Sequence, residues 1–308
     1  MVPSTKKLAP SYLSLGSKEV RHRAEALIAR LSACDICPHE CGADRTGGEV
    51  GICGTPSTVR VASFNLHHGE EPCISGHMGS GTIFFSGCSL KCVFCQNYPI
   101  SQLNHGQETS VVELAAMMVV LKRQGAHNIN LVTPTHVAPQ WLLALSIAMN
   151  EGLDIPIVYN SGGYDRVDVI EALRGIVDVY MPDMKYSDEA LARRLSAAPN
   201  YPDVNRAAVA KMYESVGDWA ADTTGVAMRG VLVRHLIIPG QVENSIGVLD
   251  TLAEISKRIR LSLMTQYFPA HKAVGMPELD RTVTRDEFHA IDAHREKLGL
   301  EEGWIQRI

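Results

Sequence analysis

Three closely spaced cysteines, Cys88, Cys92 and Cys95, are the residues of this chain that most clearly indicate chemistry. They form a C-x3-C-x2-C pattern directly after an apolar run, residues 82–85, that predicts a β-strand. Cysteine thiolates are soft ligands that bind iron–sulfur clusters, zinc or Cu(I). Three thiolates in one loop can hold three corners of a four-iron cluster and leave the fourth iron open for chemistry. The alternative is half of a zinc site that is completed from elsewhere.

The sequence around these cysteines resembles the radical S-adenosylmethionine (SAM) superfamily, whose signature is C-x3-C-x-aromatic-C after a first strand. Residues 79–101 are similar to the branch named for the pyruvate formate-lyase activating enzyme, and the resemblance covers about residues 30–308. It implies a [4Fe-4S] cluster on the three cysteines and SAM as a second cofactor. It also implies that Phe94, the aromatic residue of the motif, lies against the adenine of SAM.

Downstream of the cysteines, short apolar runs alternate with amphipathic segments. Six strands are predicted, over residues 82–85, 128–135, 155–160, 177–181, 231–238 and 261–267. Strands that alternate with helices indicate an α/β fold with a parallel sheet and right-handed crossovers. The resemblance implies a partial (β/α)6 barrel of the TIM type, preceded by a Cys-rich N-terminal extension. We predict two domains: residues 1–75, a helix and a Cys-rich metal-binding knuckle, and residues 76–308, the partial barrel with a C-terminal helix.

Polar residues follow the second and third predicted strands, where barrel enzymes place their active sites. Thr133 and Thr135 occupy the place at which many superfamily members have Gly-Gly-Glu, so they are our candidates for holding the amino group of SAM. The alternative for both is simple strand termination. Asn160 and Ser161 are candidates for contacting the ribose or the carboxylate of SAM. Beside two glycines, they are equally ordinary turn formers.

Charged residues follow the later strands. Asp183 and Lys185 resemble the Asp-x-Lys that activating enzymes place after strand four, which implies that Lys185 pairs with the SAM carboxylate and Asp183 helps to fix it. A surface ion pair is the alternative. Arg234 lies in an apolar strand and needs a partner, which an inward carboxylate would supply. His271, after strand six, is a candidate for lying near adenine or substrate, or is structural.

A second group of cysteines lies upstream, at Cys34, Cys37, Cys41 and Cys53. Four cysteines among several glycines predict a metal knuckle, because glycine lets the backbone curl closely around a site. A second iron–sulfur cluster and structural zinc are both consistent with this spacing, and unligated structural cysteines are the third reading. Cys73 is predicted to pack. The polar run 65–72 is predicted to be a solvated loop rather than a metal or substrate site.

The whole chain has 308 residues and a net charge of −5, with charges of both signs mixed along it. No basic patch predicts nucleic-acid binding. Residues 1–7 do not lead into the apolar stretch of a signal peptide, and no run is long enough to span a membrane. Eight clustered cysteines without a secretory signal favour metal binding in a reducing compartment, which predicts a cytoplasmic protein.

Three functions remain as hypotheses at this stage. The first is an activase that generates a glycyl radical on a partner enzyme, and the second is a radical SAM enzyme that modifies a small molecule. The third is a non-enzymatic iron–sulfur or zinc-binding protein, which would not need a barrel with an open cluster. Both enzymatic hypotheses require an electron donor such as flavodoxin or ferredoxin.

Overall fold

The structure is a computed structural model, and it describes residues 8–306. The signal-peptide prediction for residues 1–7 lies outside this range. The strands are β1 (Val59–His67), β2 (Ser80–Phe85), β3 (Gln107–Thr109), β4 (Ile129–Val132), β5 (Ile157–Ser161), β6 (Val179–Pro182), β7 (Ala220–Ala221), β8 (Ala227–Leu236), β9 (Arg260–Met264) and β10 (Gly303–Ile305). The helices are α1 (Tyr12–Leu15), α2 (Ser17–Ile28), α3 (Pro72–Ser75), α4 (Tyr98–Ser101), α5 (Val111–Arg123), α6 (Ala138–Asn150), α7 (Val167–Ala172), α8 (Glu189–Ser196), α9 (Tyr201–Val216), α10 (Val242–Ile255) and α11 (Arg285–Leu298).

One sheet, in the order β10-β9-β8-β6-β5-β4-β2-β1-β3 with β7 beside β8, forms the centre of the protein. The six predicted strands are its β2, β4, β5, β6, β8 and β9, and their pairings with one another are all parallel. The fold is therefore mixed α/β with a largely parallel sheet, as predicted, and it is compatible with a partial barrel. The long strand β1 and the short strands β3, β7 and β10 extend it in ways that the sequence did not reveal.

Helices cover one face of the sheet. Two of them begin with a capping box: Ser110 with Glu113 begins α5, and Thr284 with Glu287 begins α11. The fully buried Trp141 of α6 packs against Tyr159 of β5, with ring centroids 6.2 Å apart. Within the described residues, no helix is both long enough and apolar enough to cross a membrane.

The other face of the sheet is the inner face, and its two ends differ in character. Towards the strand starts it is apolar: Ile74 of α3 packs there with Val158, Val179 and Leu232. Cys73 is buried in the same cluster, as predicted. Towards the carboxyl ends, the same alternation of side chains presents Asn160 and Arg234 instead. The polar end of the inner face is where the candidate site lies.

The segment before β2 is built into the sheet. β1 pairs antiparallel with β2, with His67 opposite Ser80 and Val61 opposite Phe85. The predicted solvated loop over residues 65–72 is therefore wrong at its start, which belongs to β1. It is also wrong at Glu70, whose side chain is only 9% exposed. The division of the chain at residue 75 stays a prediction.

Candidate active site

The cysteine loop, residues 86–97, leaves the carboxyl end of β2. Gly87 begins it with a φ of +82°, a conformation that side chains rarely adopt, and an added Cβ would lie 2.8 Å from the carbonyl oxygen of Cys53. This turn reverses the chain directly after the strand. Cys88, Cys92 and Cys95 consequently line one cavity of about 250 Å³ at the strand ends.

Hydrogen-bond donors surround the three sulfurs. The amide of Leu90 donates to Cys88 Sγ at 3.3 Å, and the hydroxyl of Ser196 donates to Cys92 Sγ at 2.9 Å. Cys95 Sγ lies 3.2 Å from Ser101 Oγ. Such donors stabilise a thiolate. They also restrict the sulfurs to one region of the loop.

Burial raises the pKa of two of these thiols, Cys88 and Cys92, and so favours their protonated forms when no metal is bound. It raises the pKa of Cys88 to about 12, and the neighbouring Cys92 acts in the same direction. Burial also raises the pKa of Cys92, although the charge of Lys185 opposes this. Metal ligation requires the thiolate, so loading this site must release protons.

A network of partly buried charges forms the wall of the cavity opposite the cysteines. Lys185 Nζ lies 2.6 Å from Asp183 Oδ2, and Arg234 Nε lies 3.3 Å from Asp183 Oδ1. Arg234 also donates from Nη2 to Asn160 Oδ1 at 2.8 Å, and its Nη1 lies 3.3 Å from Glu70 Oε2. Two cations and two carboxylates thus face each other across the ends of β5, β6 and β8.

The two carboxylates respond differently to burial. Burial alone would raise the pKa of Asp183, but attraction from Lys185 and Arg234 outweighs it and lowers the pKa. Burial raises the pKa of Glu70, and Arg234 only partly offsets this effect. Asp183 is therefore firmly ionised, whereas Glu70 is the weaker acid of the pair. Sequence reasoning missed Glu70 because its partners are far away in the chain.

A second polar group, centred on Asp165, lies behind the strand ends. Asp165 is 1% exposed and accepts hydrogen bonds from Thr135, Tyr159 and Ser161 at 2.6, 2.8 and 2.7 Å. The hydroxyl of Thr135 is therefore engaged in holding β4 to β5. Thr133, with a φ of +60°, lines the cavity instead. Asp165 gave no signal in the sequence, because its role depends on residues brought together by the sheet.

The predicted aromatic contact and the predicted histidine lie on different sides of the cysteine loop. Phe94 is buried in the cavity wall, 5.9 Å from the ring of Tyr267. His271 stacks on Tyr98, with ring centroids 4.7 Å apart and an interplanar angle of 15°. It does not belong to the cavity wall, although it packs against the helix that follows the loop.

The cavity wall brings together ten of the residues predicted above: Cys88, Cys92, Phe94, Cys95, Thr133, Asn160, Ser161, Asp183, Lys185 and Arg234. Three thiols on one side fit three irons of a four-iron cluster. The cations on the other side suit the carboxylate of a ligand that completes the fourth iron. The residues present therefore fit both the cluster and SAM.

The knuckle, residues 34–54, lies beside the cysteine loop. Cys34, Cys37 and Cys53 are buried, and Cys41 is exposed. An added Cβ on Gly51 would lie 2.7 Å from Cys41 Sγ, so the glycine lets the chain pass close to the sulfur. Within residues 8–306, no three His, Cys, Asp or Glu side chains converge on a point that could hold a single metal ion. A metal in the knuckle stays a prediction.

Comparison with known proteins identifies the class to which this fold and site belong. Residues 82–252 match the family described as the Radical SAM superfamily. The chain belongs to that superfamily. It is also 31% identical, over 278 residues, to an uncharacterized protein of Methanocaldococcus jannaschii, and the match covers 87% of this chain and 75% of that protein.

Membership in this superfamily determines which of the three functional hypotheses remain. Superfamily proteins are enzymes that typically bind a [4Fe-4S] cluster and SAM and carry out SAM-cleaving radical chemistry. The hypothesis of a non-enzymatic carrier or zinc protein is therefore set aside. The finer assignment, to the branch of the pyruvate formate-lyase activating enzyme, is not part of what the match establishes.

Proposed function

We propose that Cys88, Cys92 and Cys95 hold a [4Fe-4S] cluster that cleaves SAM reductively, and that the strand-end cavity directs the resulting radical to a hydrogen donor. The observation that carries this proposal is that three thiols and two partly buried cations, Lys185 and Arg234, line the walls of one cavity. When bound, the cluster supplies the electron that breaks the S–C5′ bond of SAM, giving methionine and a 5′-deoxyadenosyl radical that abstracts hydrogen.

The chain's own residues bind and orient the reactants. Lys185 and Arg234 present positive charge to the carboxylate of SAM, and Asp183 fixes both cations in place. We assign adenine contact to Phe94 and contact with the amino end or ribose to Thr133, Asn160 and Ser161. We assign structural roles to His271, which stacks on Tyr98, and to Thr135, which donates a hydrogen bond to Asp165. Walls this deeply buried keep water away from a reactive radical.

The test is formation of 5′-deoxyadenosine. Anaerobically reconstituted protein with dithionite and SAM is expected to produce it, and Cys88→Ala is expected to abolish it because one iron loses its ligand. Cys73→Ala is the matched control, since this buried cysteine lies in the apolar cluster at the other end of the sheet. If wild-type protein with a full complement of iron forms no 5′-deoxyadenosine, the proposal is wrong.

We further propose that the hydrogen donor is a glycine in a loop of a partner enzyme, so that the protein acts as a glycyl radical activase. The similarity of residues 79–101 to activating enzymes supports this proposal. The strand order also runs from β10 to β3 without closing into a ring, which is consistent with a peptide as the hydrogen donor. The decisive experiment mixes the reduced protein, SAM and a candidate glycyl radical enzyme, and looks for the glycyl radical by electron paramagnetic resonance (EPR).

Modification of a small molecule is the second candidate. The knuckle supports it, because His39 Nε2 donates to the carbonyl of Ser89 at 2.8 Å and so covers part of the cysteine loop. Deuterium transfer discriminates between the two functions. Deuterium in 5′-deoxyadenosine from a labelled small molecule, with no glycyl radical on any protein partner, would favour this candidate over the activase.

The remaining proposals concern the electron source and the compartment. We propose that a low-potential carrier such as flavodoxin or ferredoxin reduces the enzyme. All eight cysteines are free thiols, and a reducing compartment, the cytoplasm, would preserve them for metal binding. Reduction assayed with purified flavodoxin and ferredoxin in turn identifies the carrier, and reduction by neither would contradict the assignment.

A further inference from the structure

The knuckle contacts the cysteine loop through the backbone of both segments. The amide nitrogen of Cys88 donates to the carbonyl oxygen of Cys53 at 3.3 Å. The last cysteine of the knuckle is therefore connected to the first cysteine of the radical SAM motif by a single hydrogen bond. The two cysteine groups, although far apart in the sequence pattern, are neighbours in the fold.

The knuckle itself contains a buried arginine. Arg45 is 0% exposed. Its guanidinium donates to the carbonyls of Pro56 and His136, both at 2.9 Å, to Thr55 Oγ1 at 3.4 Å, and to Cys34 Sγ at 3.6 Å. None of the ion pairs found within residues 8–306 includes Arg45. A permanently charged group is thus buried among neutral partners, one of which is a knuckle sulfur.

Burial of such a charge calls for an anion close by. Cysteine thiols in apolar surroundings are neutral, whereas cysteines bound to a metal are thiolates. A four-cysteine metal site beside Arg45 would carry net negative charge and would supply the missing counter-charge. The position of Arg45 therefore indicates that the knuckle cysteines are metal ligands rather than packing residues.

The arrangement of the knuckle favours a cluster over a zinc ion. Tetrahedral zinc requires every sulfur to lie about 2.3 Å from one point. The described residues contain no such convergence of three ligands, whereas a four-iron cluster places each sulfur on its own iron. Four cysteines also leave no iron open, which suits electron transfer rather than catalysis.

We propose that Cys34, Cys37, Cys41 and Cys53 hold a second four-iron cluster that relays single electrons to the Cys88 site. Cys41 reaches the surface, where an external carrier docks, and Cys53 reaches the cysteine loop. The reduced carrier, a flavodoxin or a ferredoxin, transfers one electron to the knuckle site, which is thereby reduced by one electron. Transfer of that electron onward restores the knuckle site to its oxidised state, and no proton moves. This inference rests on the proposed function of the Cys88 site.

The first experiment asks whether the knuckle binds iron by itself. The triple variant C88A/C92A/C95A, reconstituted without oxygen, is expected to retain about four irons per chain, half of the wild-type content. It is expected to give an EPR signal after reduction. Zinc in place of iron, or no metal at all, would overturn the proposal. This measurement does not depend on SAM cleavage, so it separates the relay from the proposed function, whose own failure would appear as no 5′-deoxyadenosine from iron-loaded wild type.

The second experiment tests the relay. In the double variant C34A/C37A, the ratio of flavodoxin-driven to dithionite-driven formation of 5′-deoxyadenosine is expected to collapse, because only the small reductant reaches the Cys88 site directly. An unchanged ratio would show that electrons bypass the knuckle.

A third measurement keeps the proposal testable if the double variant misfolds. Arg45→Met in the triple-variant background is expected to shift the reduction potential of the knuckle signal to more negative values, because a nearby positive charge favours the reduced state. Arg60→Met, which removes an arginine that bonds the carbonyl of Asn104 instead, is the control. Equal potentials for the two variants would contradict the role assigned to Arg45.

Discussion

The charge network across the strand ends makes a quantitative prediction about Arg234. Removing one member of a buried ion pair typically costs about 3–5 kcal/mol, because the partner is left uncompensated. The side chains of Arg234 and Glu70 are 20% and 9% exposed, so we expect Arg234→Met to lose about 3 kcal/mol of unfolding free energy at pH 7, at the low end of that range. Asp183 keeps its second cation, Lys185, so the loss arises mainly at Glu70.

The unfolding free energy that Arg234→Met loses through Glu70 cannot exceed the cost of protonating Glu70, and this cost depends on pH. An uncompensated Glu70 can be protonated, and from its ordinary pKa of 4.5 this costs about 3.4 kcal/mol at pH 7 but only about 0.7 kcal/mol at pH 5. The folded-state pKa of Glu70 is raised, so stability is present at low pH and is lost as the pH rises from about 4.5 towards 7. Arg234→Met should therefore be much less harmful at pH 5.

The assay is equilibrium urea unfolding of metal-free, reduced protein at both pH values, for Arg234→Met in the wild-type and the Glu70→Gln backgrounds. In the Glu70→Gln background the additional loss at pH 7 should largely disappear, because no carboxylate remains to be compensated. Groups that titrate elsewhere cancel in these differences. The reasoning would be refuted by a loss from Arg234→Met that is the same at both pH values, or the same in both backgrounds.

Three further predictions follow from features of the site and the core. Iron loading of the Cys88 site should weaken as the pH falls from 8.5 towards 6.5, because burial raises the pKa of the Cys88 thiol to about 12 and this ligand must lose a proton to bind iron; loading that does not depend on pH would contradict this. Gly87→Ala should lose iron from the cysteine loop, because the added Cβ would collide with the carbonyl oxygen of Cys53. The control Gly152→Ala has a similar φ of +88° and nothing within 4 Å of the added Cβ, so it should lose only stability, about 1–2 kcal/mol. Iron analysis distinguishes the two variants, and equal iron contents would exclude the predicted contact with Cys53. Burial raises the pKa of Asp178 to about 6 from 3.8, so the wild type should lose about 2 kcal/mol relative to Asp178→Asn as the pH rises from 4 to 6; a constant difference between the two unfolding free energies would show that Asp178 does not titrate in this range.

The parts of the fold that the sequence could predict are those encoded locally. Each of the six parallel strands is an apolar run followed by turn residues, and the capping boxes at Ser110 and Thr284 lie within four residues. The cysteine motif is equally local, because its three sulfurs lie in one loop. Strand β1 escaped prediction because its second half mixes apolar Phe64 and Leu66 with polar residues and is largely exposed, as suits an antiparallel strand near an edge.

The parts of the site that escaped prediction depend on distant partners. Glu70 looks like a solvated residue in a polar run, and only Arg234, 164 residues later, explains its burial. Asp165 likewise gains its role from Thr135, 30 residues earlier. Arg45 is one of many arginines until the fold places it against Cys34. Pairings of this kind arise from strand order and sheet register, which residue spacing alone does not reveal.

Apolar side chains fill the inner face at the strand starts, where Ile74 packs against Val158 and Val179. This packing affects the order in which substrates enter and products leave the site. With the strand starts filled, the mouth of the site lies at the carboxyl ends of the strands in the part of the chain that the structure describes. Methionine and 5′-deoxyadenosine must then depart along the route by which SAM arrived. Any hydrogen donor seated at that mouth must withdraw before the products can leave. We therefore expect a donor in excess to slow product release, so that turnover falls at high donor concentration even though radical formation itself is unaffected.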